Sequence, residues 1–516
     1  MNTSPTEHFR GAKPQLPQNL NRMITFLVCL ALLIVAYFTY GGVLCRIAGV
    51  RNTTEVPSKT MYDGVDYIPM PRWKTFLIQL LNIAGLGPIF GALLGAAYGP
   101  VAFVWITLGG IFFGAMHDLL SGVISLRNGG LSLPEIVGKY LGGGTKVVMR
   151  YFSVFLMILV GAVFMSQPAE LIAERITAPA LDAVAFTSPA GHSFSWLLLI
   201  ILGIILVYYV VATLLPVDKI IGKIYPVFGG LLIFMAGGVL LALFTTYGSA
   251  IPEFTGFKNM HAAADKMPLV PMLFTTIACG AISGFHATQS PLMARCMRNE
   301  NESRVVFYGA MISESIIALI WAAIGMAFWG GVEGLNGAIA EFGGKASILV
   351  DKIAVASMGE FLAYFVIFGV VACAITSGDT AFRSARLIVA DMANIEQKTI
   401  RKRLWICFPV FAIGLSIILL LPFGTMWSYF AWANQALSVF TLWTITVWLH
   451  HRKKNIWLAL IPAIVMTYVC SSYIFVSPLM FGMANRTVAY ILGGVLTLLI
   501  SAFMLRKVFN YGKKSA

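Results

Sequence analysis

Runs of about 20 apolar residues recur along almost the whole chain, separated by short polar connectors. A run of that length, wound as a helix, is what crosses the hydrocarbon core of a bilayer. In lipid each backbone N–H and C=O must find a partner inside the protein, which a helix achieves within one segment. The bulk composition agrees. The 516 residues are 58% hydrophobic and only 11% charged, whereas soluble domains keep about a quarter of their residues charged. The chain therefore reads as an all-α polytopic membrane protein, and length is no guide to its number of soluble domains.

Counting the runs places helices at roughly 23–45, 76–98, 101–125, 147–172, 194–215, 225–247, 268–294, 304–330, 357–380, 404–421, 428–449, 456–475 and 487–507, about 13 in all. The pieces "GLSLPEIVGKYLGGG" and "SARLIVADMANIEQKTIRKR" between them read as interfacial helices. A net charge of +14 first suggests nucleic acid, but the Lys and Arg sit in the connectors, where membrane proteins record orientation. The connectors after the odd-numbered spans, together with the C-terminus, hold 27 of the 36 Lys and Arg. That bias puts the N-terminus outside and the C-terminus inside. The seven cysteines are scattered through apolar runs without metal or disulfide spacing and read as packing residues. Residues 1–22 form a polar tail, and the run behind them is too long for a signal-peptide core, so it is expected to be retained.

Two spans are interrupted. The second contains "NIAGLGPIFG" and the seventh contains "GAISGFHATQSPLMAR", each with Gly and Pro at mid-membrane depth. Gly weakens a helix and Pro removes a backbone donor, so both are points of unwinding. Freed backbone groups in hydrocarbon survive only beside protein or a watery cavity. Five spans separate the starts of the two breaks, so they run in opposite directions across the bilayer. Interrupted segments at corresponding places in two halves point to the binding site of a transporter built on an inverted repeat. The alternative is that Gly and Pro merely permit close packing. The repeats are expected to be spans 2–6 (residues 60–250) and 7–11 (251–450), with an extra first helix and loop at 23–59 and two extra helices with a basic tail at 451–516.

At the same residues the chain is recognisable. "ACGAISGFHATQSPLMARCM", "SGDTAFRSARLIVAD", "DGVDYIPMPRW", "AGLGPIFGALLGAAYGP" and "YFAWANQALSVFTLW" closely resemble the carbon starvation protein A family, from about residue 60 to 450. The resemblance implies uptake of peptides during carbon limitation, or of pyruvate in some members, driven by protons. It also implies the five-plus-five inverted repeat of the amino acid–polyamine–organocation superfamily.

Candidate site residues follow. Ser283, Gly284, Phe285 and His286 are the expected unwound stretch of the seventh span, where bare N–H groups and the helix dipole suit a substrate carboxylate. Thr288, Gln289 and Ser290 would add side-chain donors, unless their hydroxyls bond their own helix one turn back. Across the site Gly85 and Gly87 let the second span approach, and Asn82 would bond substrate. His286 would accept a proton or pair with a carboxylate, against the plainer reading of a neutral histidine tying the break together. Glu314 is the deepest acid, a proton carrier or a protonated group bonded between helices.

The superfamily resemblance implies that Thr376 and Ser377 meet the second-span break to hold sodium, an oxygen-liganded hard cation. Asp379 is an ion ligand or proton carrier, or else one half of a cytoplasmic latch with Arg383 four residues on. Asp118, beside His117, is expected to pair with Arg127 or another cytoplasmic cation as part of a gate. Trp427, Tyr429, Phe430 and Trp432 read as an interface belt, with Asn434 and Gln435 behind them as weaker site candidates. No nucleophile–base pair, metal-ligand spacing or phosphate loop stands out, so neither an enzyme nor a cofactor is expected. A secondary transporter of peptide or pyruvate, coupled to protons or sodium, is the leading reading. An uncoupled channel or facilitator and a membrane enzyme or nutrient-sensing receptor are the competitors.

Overall fold

The computed structural model describes residues 23–511 apart from 177, 190, 192, 215–220 and 398, so the expected polar tail at 1–22 lies outside the described residues. Helices dominate. In order they are α1 (Ile24–Ala48), the bent pair α2 (Arg72–Ala84) and α3 (Gly87–Tyr98), α4 (Val101–Arg127), α5 (Gly143–Ala173), α6 (Trp196–Leu214) and α7 (Tyr225–Ala250). A short helical piece at 269–276 then leads to α8 (Gly284–Ala294). The chain continues through α9 (Glu300–Phe328), α10 (Ala346–Ala393), α11 (Ile400–Leu420), α12 (Phe423–His451), α13 (Trp457–Val476) and α14 (Arg486–Asn510). Among the described residues ten helices are long and apolar enough to cross a membrane, or eleven with α2–α3 taken as one span. The protein is a multi-pass membrane protein.

Burial sorts these helices into an inner and an outer set. In α9 and α4, 83% and 78% of the apolar window is buried in protein, against 28% in α1 and in α14. On α1 a single stripe of Phe26, Cys29, Leu33 and Ala36 turns inward at helical spacing while Val28, Val35 and Phe38 face out. Outward Phe and Leu side chains of this kind suit lipid rather than water. The inner set surrounds both interrupted spans.

Two sequence expectations change, and one element is new. The stretch "SARLIVADMA" is not an interfacial helix; α10 runs on to Ala393, because no breaker intervenes before Asn394 caps it in the left-handed conformation (φ 54°). The aromatic stripe is not a uniform belt. Trp427 and Phe430 are buried, Phe430 against Phe164 with ring centroids 5.6 Å apart, and only Tyr429 is exposed. The loop after α5 forms a small hairpin, Val184–Thr187 against Ser193–Ser195, with Phe186 opposite Phe194.

Candidate functional site

In the second span the helix stops at Ala84 and restarts at Gly87 with a bend of 53°. Pro88 sits in the first turn of the new helix, where its missing N–H costs nothing. The carbonyls freed by this break are met by hydroxyls from α10. Ser377 Oγ donates to Leu81 O or Asn82 O, both 3.0 Å away, and accepts from Gly85 N at 3.1 Å. Thr376 Oγ1 lies 3.3 Å from Leu81 O while also bonding Ala372 O and Cys373 O in its own helix. Gly85 has to be small, since a Cβ there would stand 2.6 Å from the Phe164 ring. Asn82 is fully buried, and neither its Oδ1 nor its Nδ2 has a partner among the described residues.

In the seventh span the helical piece 269–276 ends at Ile277, and Ser283 is extended before α8 begins. The unwound stretch is therefore 277–283. Of the four residues expected to be unwound only Ser283 is, and Gly284, Phe285 and His286 form the first turn of α8. Amide side chains of α12 span this break. Asn434 Oδ1 accepts from Phe285 N at 2.7 Å and from Ser283 Oγ at 3.0 Å. Gln435 Nε2 donates to Ile282 O and Phe274 O at 3.0 and 3.2 Å. Trp105 Nε1 adds a bond to Ile277 O at 3.2 Å. Gly284 lets α8 lie directly on the α12 backbone, because a Cβ would meet Ser438 N at 2.3 Å. Thr288 and Ser290 bond carbonyls of their own helix, Phe285 O and His286 O, and Gln289 donates to Thr288 Oγ1.

The breaks touch each other. A Cβ on Gly87 would stand 2.3 Å from Cys279, one on Gly91 2.7 Å from Thr276 O, and one on Gly95 2.2 Å from Ile277. These three glycines, four residues apart, make one flat face against the start of the seventh-span break. That spacing is a sequence signal for close helix approach.

A chain of ionisable groups crosses the same region, all fully buried. Asp118 takes His117 Nδ1 on one carboxylate oxygen at 2.8 Å and His286 Nδ1 on the other at 2.9 Å. The far nitrogen of that ring, His286 Nε2, lies 3.4 Å from Glu314 Oε2. Neither oxygen of Glu314 has a hydrogen bond among the described residues. Cys279, read from the sequence as packing, completes a Cys279–His286–Glu314 set whose ligand atoms lie within 4.8 Å of one another. Among the described residues this is the group that could hold a metal ion.

The expected pairing of Asp118 with Arg127 is wrong. Nine residues along one helix, Arg127 emerges at its end and is taken by Glu300 at 2.5 Å, while Asp118 is turned inward to two imidazoles. The expected Asp379–Arg383 latch is also absent among the described residues. Asp379 Oδ2 accepts from Tyr225 OH at 3.4 Å, and Arg383 reaches Asp66, in the loop before α2, at 3.6 Å, with Arg386 beside it at 3.9 Å. Burial alone would raise the Asp66 carboxyl, but Arg386, Arg383, Arg295 and Arg403 outweigh it and hold it below the ordinary carboxylate range. Asp66 was not among the sequence candidates.

Comparison with known proteins sets this geometry in a family. Residues 21–193, 186–329 and 330–472 match the family model described as Carbon starvation protein CstA. A Haemophilus influenzae protein described as an uncharacterized membrane protein is 43% identical over 349 residues, covering 61% of this chain and 94% of that protein. The Bacillus subtilis peptide transporter CstA is 25% identical over 538 residues, 88% of this chain and 90% of its own length. The Escherichia coli peptide transporter CstA is 25% identical over 367 residues, 59% of this chain and 50% of its own length.

Proposed function

The chain belongs to the carbon starvation protein CstA family, and from that premise we propose that it is a secondary active transporter importing peptides by alternating access. The reading takes α2–α3 and the 269–294 span as corresponding members of two inverted repeats, spans 2–6 and 7–11. It sets the N-terminus outside and the C-terminus in the cytoplasm of the bacterial inner membrane. The substrate's carboxylate lies between the two breaks, toward Asn82, Gly85, Gly87 and the first turn of α8, with Thr288, Gln289 and Ser290 on its inner side. The observation that carries this is the direct contact of the breaks, Gly87 on Cys279, at a place rich in buried polar groups. Two half-helices meeting at mid-span are how transporters aim bare peptide groups at an anion.

Coupling follows from the two polar sets. In one, an ionised Asp118 draws a hydrogen onto His286 Nδ1, leaving Nε2 as a lone pair facing Glu314. One proton fits between them, held by the carboxyl or by the ring, and a substrate anion arriving beside it would favour the charged ring. In the other, Thr376 Oγ1, Ser377 Oγ, Leu81 O and Asn82 O supply only oxygens, as sodium requires. Asp66 with Arg383 and Arg386 ties the base of α2 to α10 and acts as the inner latch, which must open for release.

The test is uptake into proteoliposomes of labelled di- and tripeptides against labelled pyruvate, under an imposed proton or sodium gradient. Peptide accumulation that collapses with the gradient is the expected result. Accumulation of pyruvate alone would transfer the same site to a smaller carboxylate. Gradient-independent equilibration would make the protein a facilitator, and binding without any uptake would make it a receptor.

A further inference from the structure

A polar cleft lined by none of the residues of the two breaks lies near the ends of α4, α12 and α14. The loop after α4, the end of α12 and the end of α14 line this open cleft of about 460 Å³. Four of its lining residues are basic, Arg127, Lys139, His451 and Arg452, and no lining residue is acidic. Arg127 is paired from behind with Glu300 and donates one hydrogen each to Ala48 O and Gly49 O at 2.8 and 2.6 Å. Lys139 and Arg452 have no carboxylate partner among the described residues. Lys139 Nζ reaches only Asn128 Oδ1, at 2.5 Å, and the Arg452 guanidinium lies over the Trp448 ring, 4.8 Å from its centroid. Partial burial and the neighbouring charge of Arg127 both lower the pKa of Arg452.

The cleft has an aromatic wall as well. The Tyr140 and Tyr511 rings lie 5.5 Å apart, and His451 stands edge-on to Tyr511 at 5.1 Å. It opens where α12 and α14 end, at the level where spanning helices meet headgroups and where Tyr and Trp collect. A further cation, Lys507, reaches toward Gly142 beside it. Unpaired cations around a roomy, aromatic-walled cleft leave positive charge for a ligand to neutralise, and basic pockets between spanning helices take phosphate headgroups.

We propose that this cleft, built by Lys139, His451 and Arg452 over Trp448 and Tyr140, is a binding site for a phosphate group. A glycerophospholipid headgroup and a free phosphate share the chemistry. Full-length protein is tested in two arms: in phosphatidylcholine nanodiscs doped with phosphatidylglycerol, with retained lipid counted by native mass spectrometry, and by equilibrium dialysis against labelled inorganic phosphate. Saturable retention of phosphatidylglycerol at one per chain assigns the headgroup, and saturable inorganic phosphate assigns a soluble ligand. Each cation contributes about 1 kcal/mol to such attraction, so Lys139→Gln with Arg452→Gln weakens binding roughly 10- to 30-fold. Lys454→Gln, on the exposed connector, leaves it within about twofold. Should the double variant fail to fold, the exposed Lys139→Gln alone still weakens binding severalfold. No binding in either arm, or binding equal in wild type and variant, overturns the proposal.

Discussion

The two interrupted spans solve one problem with different chemistry. Each frees backbone groups that hydrocarbon cannot satisfy. At the α2–α3 break the partners are the hydroxyls of Thr376 and Ser377, so that break gathers oxygens around the carbonyls of Leu81 and Asn82. At the 277–283 break the partners are the amides of Asn434 and Gln435, which offer a donor and an acceptor at fixed positions and close both ends of the gap. A hydroxyl can turn its hydrogen away and present its oxygen to a cation, whereas an amide nitrogen cannot. On the proposed reading the first break takes the ion, while the second lies beside a chain of acids and histidines.

Five experiments test that contrast. The largest effect is expected at the titratable side. His286→Ala should lower gradient-driven uptake by about 100-fold, the order lost with a proton-transfer group, while the protein still elutes as a folded species. Glu314→Gln should abolish accumulation yet keep substrate exchange across the membrane, because a permanently neutral side chain can cycle without a proton. Wild-type uptake in the histidine variant would remove it from the site.

Next comes the contact itself. Gly87→Ala places a Cβ against Cys279 and should destabilise the protein by roughly 1–3 kcal/mol through overpacking. Adding Cys279→Gly should recover more than half of that loss in thermal unfolding. Strict additivity of the two changes would mean that the breaks do not press on each other.

The bridging groups differ by less. Asn434→Ala leaves the Phe285 N–H and the Ser283 hydroxyl without their acceptor and should cost about 1–3 kcal/mol. Ser377→Ala removes one hydroxyl from the other break and should cost about 1 kcal/mol. The smallest effect on folding carries the clearest functional readout: Ser377→Ala should weaken any sodium dependence of uptake while leaving its proton dependence intact. Unchanged sodium dependence would take Ser377 out of the ion site.

Much of this was legible from residue order. "NIAGLGPIFG" and "GAISGFHATQSPLMAR" mark both breaks because Gly and Pro together weaken a long apolar helix at the place where they cluster. The register of the second break was not legible. Gly and Pro show where a helix is permitted to open, but Gln435 and Asn434, about 150 residues away, select which carbonyls and amides are released, and they select 277–283. Charge partners were misread for a related reason. Helical spacing offered Arg383 to Asp379, and closeness in sequence offered Arg127 to Asp118. Yet Asp66 and Glu300 compete for those arginines from other segments and win. Cys279 looked inert until the fold set its sulfur beside His286 and Glu314.

By itself the sequence determined that this chain lives in a bilayer, that it is helical, and that two of its helices are interrupted, because these depend on local composition and on the cost of baring a peptide group to lipid. Packing alone fixed which residues of the facing interruptions touch, that hydroxyls serve one and amides the other, and that His286 joins Asp118 to Glu314. Those facts depend on which of several chemically adequate partners arrives within bonding distance, and distance between remote segments is written in packing rather than in residue order.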